Sequence, residues 1–410
     1  MGPRIRRAGA AALGCVAALA VLVSGCSGSA GGGAAQRTDR AVQGVLDVRA
    51  RAVLHHDRGA FLGTVDPDAT GYLASQRRVF ADLADVPLAS WSYRLRSTGA
   101  FPLADSAHQV AARVELDYAL RGYDSAPVAS TEYLTFTERA GRWYVASQTD
   151  GDTSGKRSDV QPWDQGPVTV VHGAHSLVLG AGTAASLTAY ARLADAAVPV
   201  VRRQWPGTWA GRAIVEVPGN EADMAALLGA PAGTYQGIAA VTTAELRGTG
   251  TAPADRVIVN PQAFAELSAL GRSVVLTHEL THVATRTATT SRTPTWLSEG
   301  FADLVGYSDS GLTPGRVAPE LAADVRAGRA PTALPTTADF APGSAGIAQA
   351  YEGAWLACRM IDAQWGHAEL VAFYQTTGRE GVEQATRSVL GVSGGQFTDR
   401  WKAYVAKELG

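Results

Sequence analysis

The chain has 410 residues, of which 46% are hydrophobic and 18% charged, so it can fill more than one core and is not a disordered polymer. Its formal net charge is −2, and no dense Lys/Arg cluster occurs beyond the first residues. That balance argues against a nucleic-acid binder, which neutralises phosphates with a basic excess.

The N-terminus reads as an export segment and stands apart from the fold. Arg4, Arg6 and Arg7 precede an apolar run over 8–23, too short to span a bilayer comfortably. The tetrad Val23-Ser24-Gly25-Cys26 that follows resembles a bacterial lipobox. The resemblance implies a lipoprotein signal peptide over 1–25, cleavage before Cys26 and lipid on its thiol; a plain secretory signal is the other reading. Residues 26–37, rich in Gly, Ser and Ala, are expected to be a flexible tether. The chain is then expected to be exported and anchored to the outer face of the bacterial cytoplasmic membrane. With Cys15 in the signal and Cys26 lipidated, Cys358 is the one remaining thiol, which excludes an internal disulfide. Its apolar helical setting makes it a small buried residue.

Residues 38–150 are expected to form a cone-like α+β domain. Val42, Val45, Leu46 and Val53 recur at helical spacing within a helix over 38–58. Trp91–Leu95 opens a strand region, and Val110, Ala112, Val114, Leu116, Tyr118 and Leu120 alternate with Ala111, Arg113, Glu115, Asp117 and Ala119, the period of a strand with one buried face. Arg139-Ala140-Gly141 between two apolar runs signals a hairpin. Helices followed by an antiparallel sheet, ending in Gly-Arg-Trp-Tyr, resemble the nuclear transport factor-like (SnoaL-like) superfamily, whose members range from enzymes to spacers. His55-His56 lacks a partner at metal spacing and reads as a solvated helix end. No convergent polar constellation is visible in this domain.

Residues 151–166, polar and rich in Gly, Ser, Asp and Pro, read as a linker. Beyond it, 167–410 begins with strands at 168–171, 213–217 and 257–260 alternating with helices at 183–203 and 220–228, a small α/β subdomain. From Arg272 onward the pattern is helical, broken by a Gly/Pro/Thr-rich stretch at 308–346 that is either a lid over a cleft or a loose loop.

The chemistry is concentrated in His278-Glu279-Leu280-Thr281-His282. On a helix the two histidines are one turn and about 40° apart, so both imidazoles can reach one ion. Glu279 is turned by about 100° from His278, aside from ligation but within reach of a water at the metal. A catalytic zinc takes three protein ligands and keeps one open position. A second helix over 294–307, with Pro294 near its first turn, places Glu299 and Asp303 four residues apart on one face. Glu299 is the natural third ligand.

His278-Glu279-Leu280-Thr281-His282 followed by Trp296-Leu297-Ser298-Glu299-Gly300-Phe301-Ala302-Asp303 resembles the gluzincin metallopeptidases, thermolysin included, and most of all the bacterial peptidase MA-like group. The resemblance covers about residues 165–410. It implies Zn2+ held by His278, His282 and Glu299, Glu279 as general base and proton shuttle, and Asp303 as acceptor for a ligand histidine. It also implies a tyrosine on a downstream helix that stabilises the oxyanion. Tyr351 is the candidate, as a packing residue is its other reading; Tyr307 and His367 are weaker ones. Extended substrates pair with an edge strand in such folds, for which 235–243 and 257–260 are equal candidates. His172 and His175 read as surface histidines.

Two functions of different class follow. The first is a membrane-tethered zinc peptidase acting outside the cytoplasm on peptides or unfolded protein, with no nucleic-acid partner. The second is a non-catalytic envelope lipoprotein whose zinc site is structural or vestigial. The presence of Glu279 favours the first, because a structural site needs ligands but no base.

Overall fold

A 25-residue helix, α1 (Ala30–Leu54), opens the part of the chain that the structure, a computed structural model, describes: residues 30–104, 107–243 and 255–410. The expected signal peptide and Cys26 lie outside the described residues. Helix α1 starts before the expected position 38, so residues 30–37 are helical where a tether was expected. Val42, Leu46, Ala50 and Val53 form its buried stripe. Two short helices follow, α2 (Arg58–Leu62) and α3 (Thr70–Asp82). His55 and His56 are exposed between α1 and α2.

Four antiparallel strands then form a meander in the order β1 (Leu88–Thr98), β2 (Gln109–Leu120), β3 (Val128–Arg139), β4 (Arg142–Ser147). The expected alternation holds over the middle of β2, where Ala112, Val114, Leu116 and Tyr118 are buried between more exposed Arg113, Glu115 and Asp117, and fails at its ends, where Ala111 and Ala119 are buried too. The β3–β4 turn is the dipeptide Ala140-Gly141, both at positive φ (48° and 78°), the twist that joins antiparallel strands tightly.

The predicted linker is strapped down rather than loose. Asp159 accepts the Thr131 N–H at 2.7 Å, and Trp163, in α4 (Pro162–Gln165), is buried against Trp91 and Tyr118 at ring distances of 5.5 and 5.1 Å.

The second sheet has five strands: β5 (Thr169–His172), β6 (Ser176–Gly180), β7 (Ala213–Val217), β8 (Ala240–Thr242) and β9 (Val257–Val259), ordered β5-β6-β7-β9-β8. Strands β6, β7 and β9 are parallel, and β5 and β8 are antiparallel edges. Helix α5 (Ala184–Gln204) makes the β6–β7 crossover, and α6 (Glu221–Leu227) follows β7. All further described elements are helical: α7 (Pro261–Glu266), α8 (Ala269–Thr285), α9 (Thr295–Gly306), α10 (Pro314–Val317), α11 (Pro319–Arg326), α12 (Ile347–Trp365), α13 (His367–Glu380), α14 (Val382–Ser388) and α15 (Gly394–Leu409). The chain is thus mixed α+β. Among the described residues no helix is long and apolar enough to cross a membrane.

The two sheets share one core. Leu177, Leu179 and Ile214 of the second sheet pack into the apolar cluster of the first. Asp124, just past β2, forms a two-oxygen ion pair with Arg256 beside β9, at 3.0 Å for both contacts, with both side chains buried.

Candidate metal centre

The centre is built on two crossing helices. Ser268 caps α8 by accepting the Gly271 N–H at 3.0 Å, and Leu276, Leu280 and Ala284 bury one of its faces. Leu297, Phe301, Ala302 and Val305 do the same for α9, whose N-cap is Pro294. At Gly300 the backbone of α9 meets α12 so closely that a Cβ would overlap the Ala354 carbonyl oxygen. The residue beside Glu299 must therefore lack a side chain.

These faces bring His278, His282 and Glu299 together, with one ligand atom of each within 4.8 Å of the others. The two Nε2 atoms are 3.0 Å apart, and Glu299 Oε2 lies 3.3 Å from that of His278 and 3.6 Å from that of His282. Two ligands at about 2.0–2.1 Å from a tetrahedral zinc lie about 3.3 Å from each other, so the triangle has the size that zinc requires. Two imidazoles and a carboxylate are a donor set suited to zinc. Among the described residues no other group of three or more His, Cys, Asp or Glu has this closeness.

Asp303 Oδ1 sits 2.8 Å from His278 Nδ1, a contact that fixes the orientation of the ring with Nε2 towards His282 and Glu299. Burial alone would lower the His278 pKa; the carboxylates of Asp303 and Glu299 overcome it and raise it to about 10. Glu299 is moved the other way: burial would raise its pKa, but His282 and His278 hold it well below the usual carboxylate range. Ser298 Oγ is 3.5 Å from His282 Nδ1, at the limit of a hydrogen bond.

Glu279 is buried on the same helix. Its Oε2 accepts a hydrogen bond of 2.7 Å from the hydroxyl of Thr242, a residue to which no sequence signal pointed beyond its place in the run 235–243. The structure separates the two candidate runs: residues 240–242 form the edge strand β8, while β9 lies inside the sheet.

Tyr351 is on α12, its ring 5.1 Å from that of Phe340. It lines a cavity of about 330 Å³ together with Asp303, Tyr307 and Glu352. Burial raises the Tyr307 pKa, and the neighbouring Asp303 adds to the shift. His367 is not at this centre. Its Nδ1 lies 2.9 Å from Asp362 and its Nε2 2.7 Å from the Gln204 carbonyl oxygen, so the ring ties the start of α13 to the end of α12 through one nitrogen and to the end of α5 through the other. His172 is exposed and His175 half-buried at the far edge of the second sheet. Cys358 is a buried free thiol.

The stretch 308–346 is tied to the body of the domain, since Glu352 accepts the backbone N–H groups of Glu320 and Leu321 at 3.3 and 2.6 Å and so holds the start of α11. Burial, with Glu320 alongside, pushes the Glu352 carboxyl up to about 8. The first domain does hold a convergent polar group that its sequence did not reveal. The buried Arg49 guanidinium lies 4.0 Å over the Phe61 ring and donates to Gln76 and, at 3.4 Å, to Thr64. Those contacts stay within the domain.

No family model matches the chain, and no curated protein matches it. Two solved structures are similar to it, both described as a two-domain M1 zinc metallopeptidase with a glutamate-to-alanine mutation, one bound to L-arginine and one to L-tryptophan. Each is 17% identical with a TM-score of 0.33, and they cover 66% and 67% of this chain. The chain spans 58% and 59% of their length.

Proposed function

We propose that the chain is a zinc-dependent peptidase, with His278, His282 and Glu299 as the ligands and Glu279 as general base. The observation that carries this reading is the zinc-sized triangle of donor atoms with a buried, hydrogen-bonded carboxylate on the adjoining residue. Bound there, zinc would supply a Lewis acid that acidifies water and polarises a carbonyl.

The roles of the protein groups follow from position. Asp303 holds the His278 tautomer and makes the imidazole a better donor. Glu279 takes a proton from the attacking water and returns it to the leaving amine. Among the described residues strand β8 is an edge of its sheet, on which an extended peptide would add as a further strand, and this favours peptides and unfolded protein as substrates. Tyr351, in the cavity that Asp303 also lines, donates to the developing oxyanion. The export pattern and Cys26 support a site of action outside the cytoplasm, with the protein tethered at the outer face of the membrane. The cone-like first domain is read as SnoaL-like on its order of helices and antiparallel strands.

The mature chain should bind one zinc and cleave an unstructured protein. Glu279→Gln should abolish cleavage, by about a hundredfold or more, with zinc retained. Loss of zinc binding in the wild type, or unchanged cleavage by Glu279→Gln, sinks the reading. A zinc-loaded wild type without hydrolytic activity would leave the non-catalytic lipoprotein.

A further inference from the structure

Thr242 ends the three-residue edge strand and is fully buried. Its hydroxyl lies 2.7 Å from Glu279 Oε2 and 3.2 Å from the Glu279 carbonyl oxygen. A hydroxyl has one proton to give. The shorter distance assigns it to the carboxylate, where a charge-assisted bond is also the stronger. The donor is itself rigid: threonine is branched at Cβ, so χ1 is restricted, and the strand is fixed by its pairing of Thr242 with Val257, Val241 with Ile258 and Ala240 with Val259.

Glu279 on its own is a flexible side chain one residue from a metal ligand. The Thr242 hydroxyl fixes the position of one oxygen of that carboxylate. The residues that hold it belong to the sheet edge and not to α8, 37 positions away in sequence. A peptide added to β8 would then lie against the strand whose last residue, Thr242, holds the base.

We propose that Thr242 is a positioning residue for Glu279, coupling the edge strand that receives substrate to the base that acts on it. This rests on the peptidase reading above. The step it serves moves one proton, from water to the Glu279 carboxylate and on to the departing amine, and Thr242 neither gains nor loses one.

The test compares Thr242→Val, which keeps the shape and removes the donor, with Thr242→Ser, which keeps the donor. Zinc content should stay at the wild-type level in both. In Thr242→Val, kcat should fall by about ten- to a hundredfold with KM within about twofold, the scale of one hydrogen bond to a charged group. Thr242→Ser should recover to within a few-fold of the wild type. A second readout needs no activity. In the zinc-free protein, Thr242→Val should lower the melting temperature when Glu279 is present and leave it unchanged in a Glu279→Ala background.

An unchanged kcat in Thr242→Val, an equal loss in Thr242→Ser, a loss confined to KM, or additive melting shifts would each overturn the proposal while the peptidase reading stands. If zinc-loaded wild type cleaves nothing, the peptidase reading itself has failed. Coupled melting shifts would then make Thr242 a packing contact, and the positioning role would fall with the activity.

Discussion

The ion pair between Asp124 and Arg256 sets how far the first domain supports the second. Both side chains are buried, at 0% and 4% exposure, and both carboxylate oxygens are 3.0 Å from the guanidinium. The Arg256 carbonyl oxygen also accepts the Thr243 N–H, and the Arg256 N–H donates to Thr243 Oγ1, so the pair anchors the chain entering β9 beside the end of β8. Removing one partner of a buried pair costs about 3–5 kcal/mol, because the other is left charged in a poor solvent. Asp124→Asn should fall at the low end, about 3 kcal/mol, since Glu216 Oε1 lies 3.5 Å from Arg256 Nε and still faces the cation. Arg256→Met takes the cation away from two buried carboxylates and should cost about 5 kcal/mol. The double variant Asp124→Leu with Arg256→Met should regain part of that loss, because Glu216 still lacks its cation. Urea unfolding followed by tryptophan fluorescence and by far-ultraviolet circular dichroism measures each; the two probes should coincide in the wild type, whose sheets share a core. A loss below about 1 kcal/mol for Asp124→Asn, the range of an exposed pair, or Arg256→Met proving milder than Asp124→Asn, would refute the reasoning.

Three further outcomes are expected. Asp303→Asn should weaken zinc binding by about 10–100-fold with the fold intact, read by competition with a chromophoric chelator; unchanged affinity would free His278 from dependence on Asp303. Gly300→Ala should destabilise by about 1–3 kcal/mol, as α9 must move off the Ala354 carbonyl; an unshifted melting temperature would show that the crossing has slack. Burial, opposed by Arg49, holds the Glu132 carboxyl up at about 7 against an ordinary value of 4.5, so the folded chain keeps a proton that the unfolded chain has lost. Stability from this group is complete below 4.5 and is lost as pH rises through 7. Glu132→Gln, which imitates the protonated form, should match the wild type at acid pH and exceed it at alkaline pH by on the order of 1–3 kcal/mol; a constant difference across pH would count against it.

What could be read from the sequence was local, and what could not was paired across distance. The spacing His278–His282 and Glu299–Asp303 is a property of single helices, so each pair could be assigned to one face before any fold was known. The alternation in β2 was equally plain, because Arg113, Glu115 and Asp117 on one face are less buried than Ala112, Val114, Leu116 and Tyr118 on the other. Strand β6 was not expected from the sequence, although β7, which is buried at all five residues in the same way, was read from its apolar run. Residues 151–166 have the composition of a linker, yet one aromatic, Trp163, is enough to dock them on Trp91 and Tyr118. The edge strand shows the limit most clearly. Runs 235–243 and 257–260 are both apolar enough for strands, and which one lies outermost depends on sheet order, a long-range property that neither segment encodes alone. Thr242 inherits that limit: a threonine at the end of a three-residue strand carries no mark of its own. It becomes significant only when the sheet edge delivers its hydroxyl to a carboxylate 37 residues ahead. The residues proposed to hold an ion were therefore visible from helix geometry, while the residue proposed to aim the base emerged only from the packing of helix against sheet.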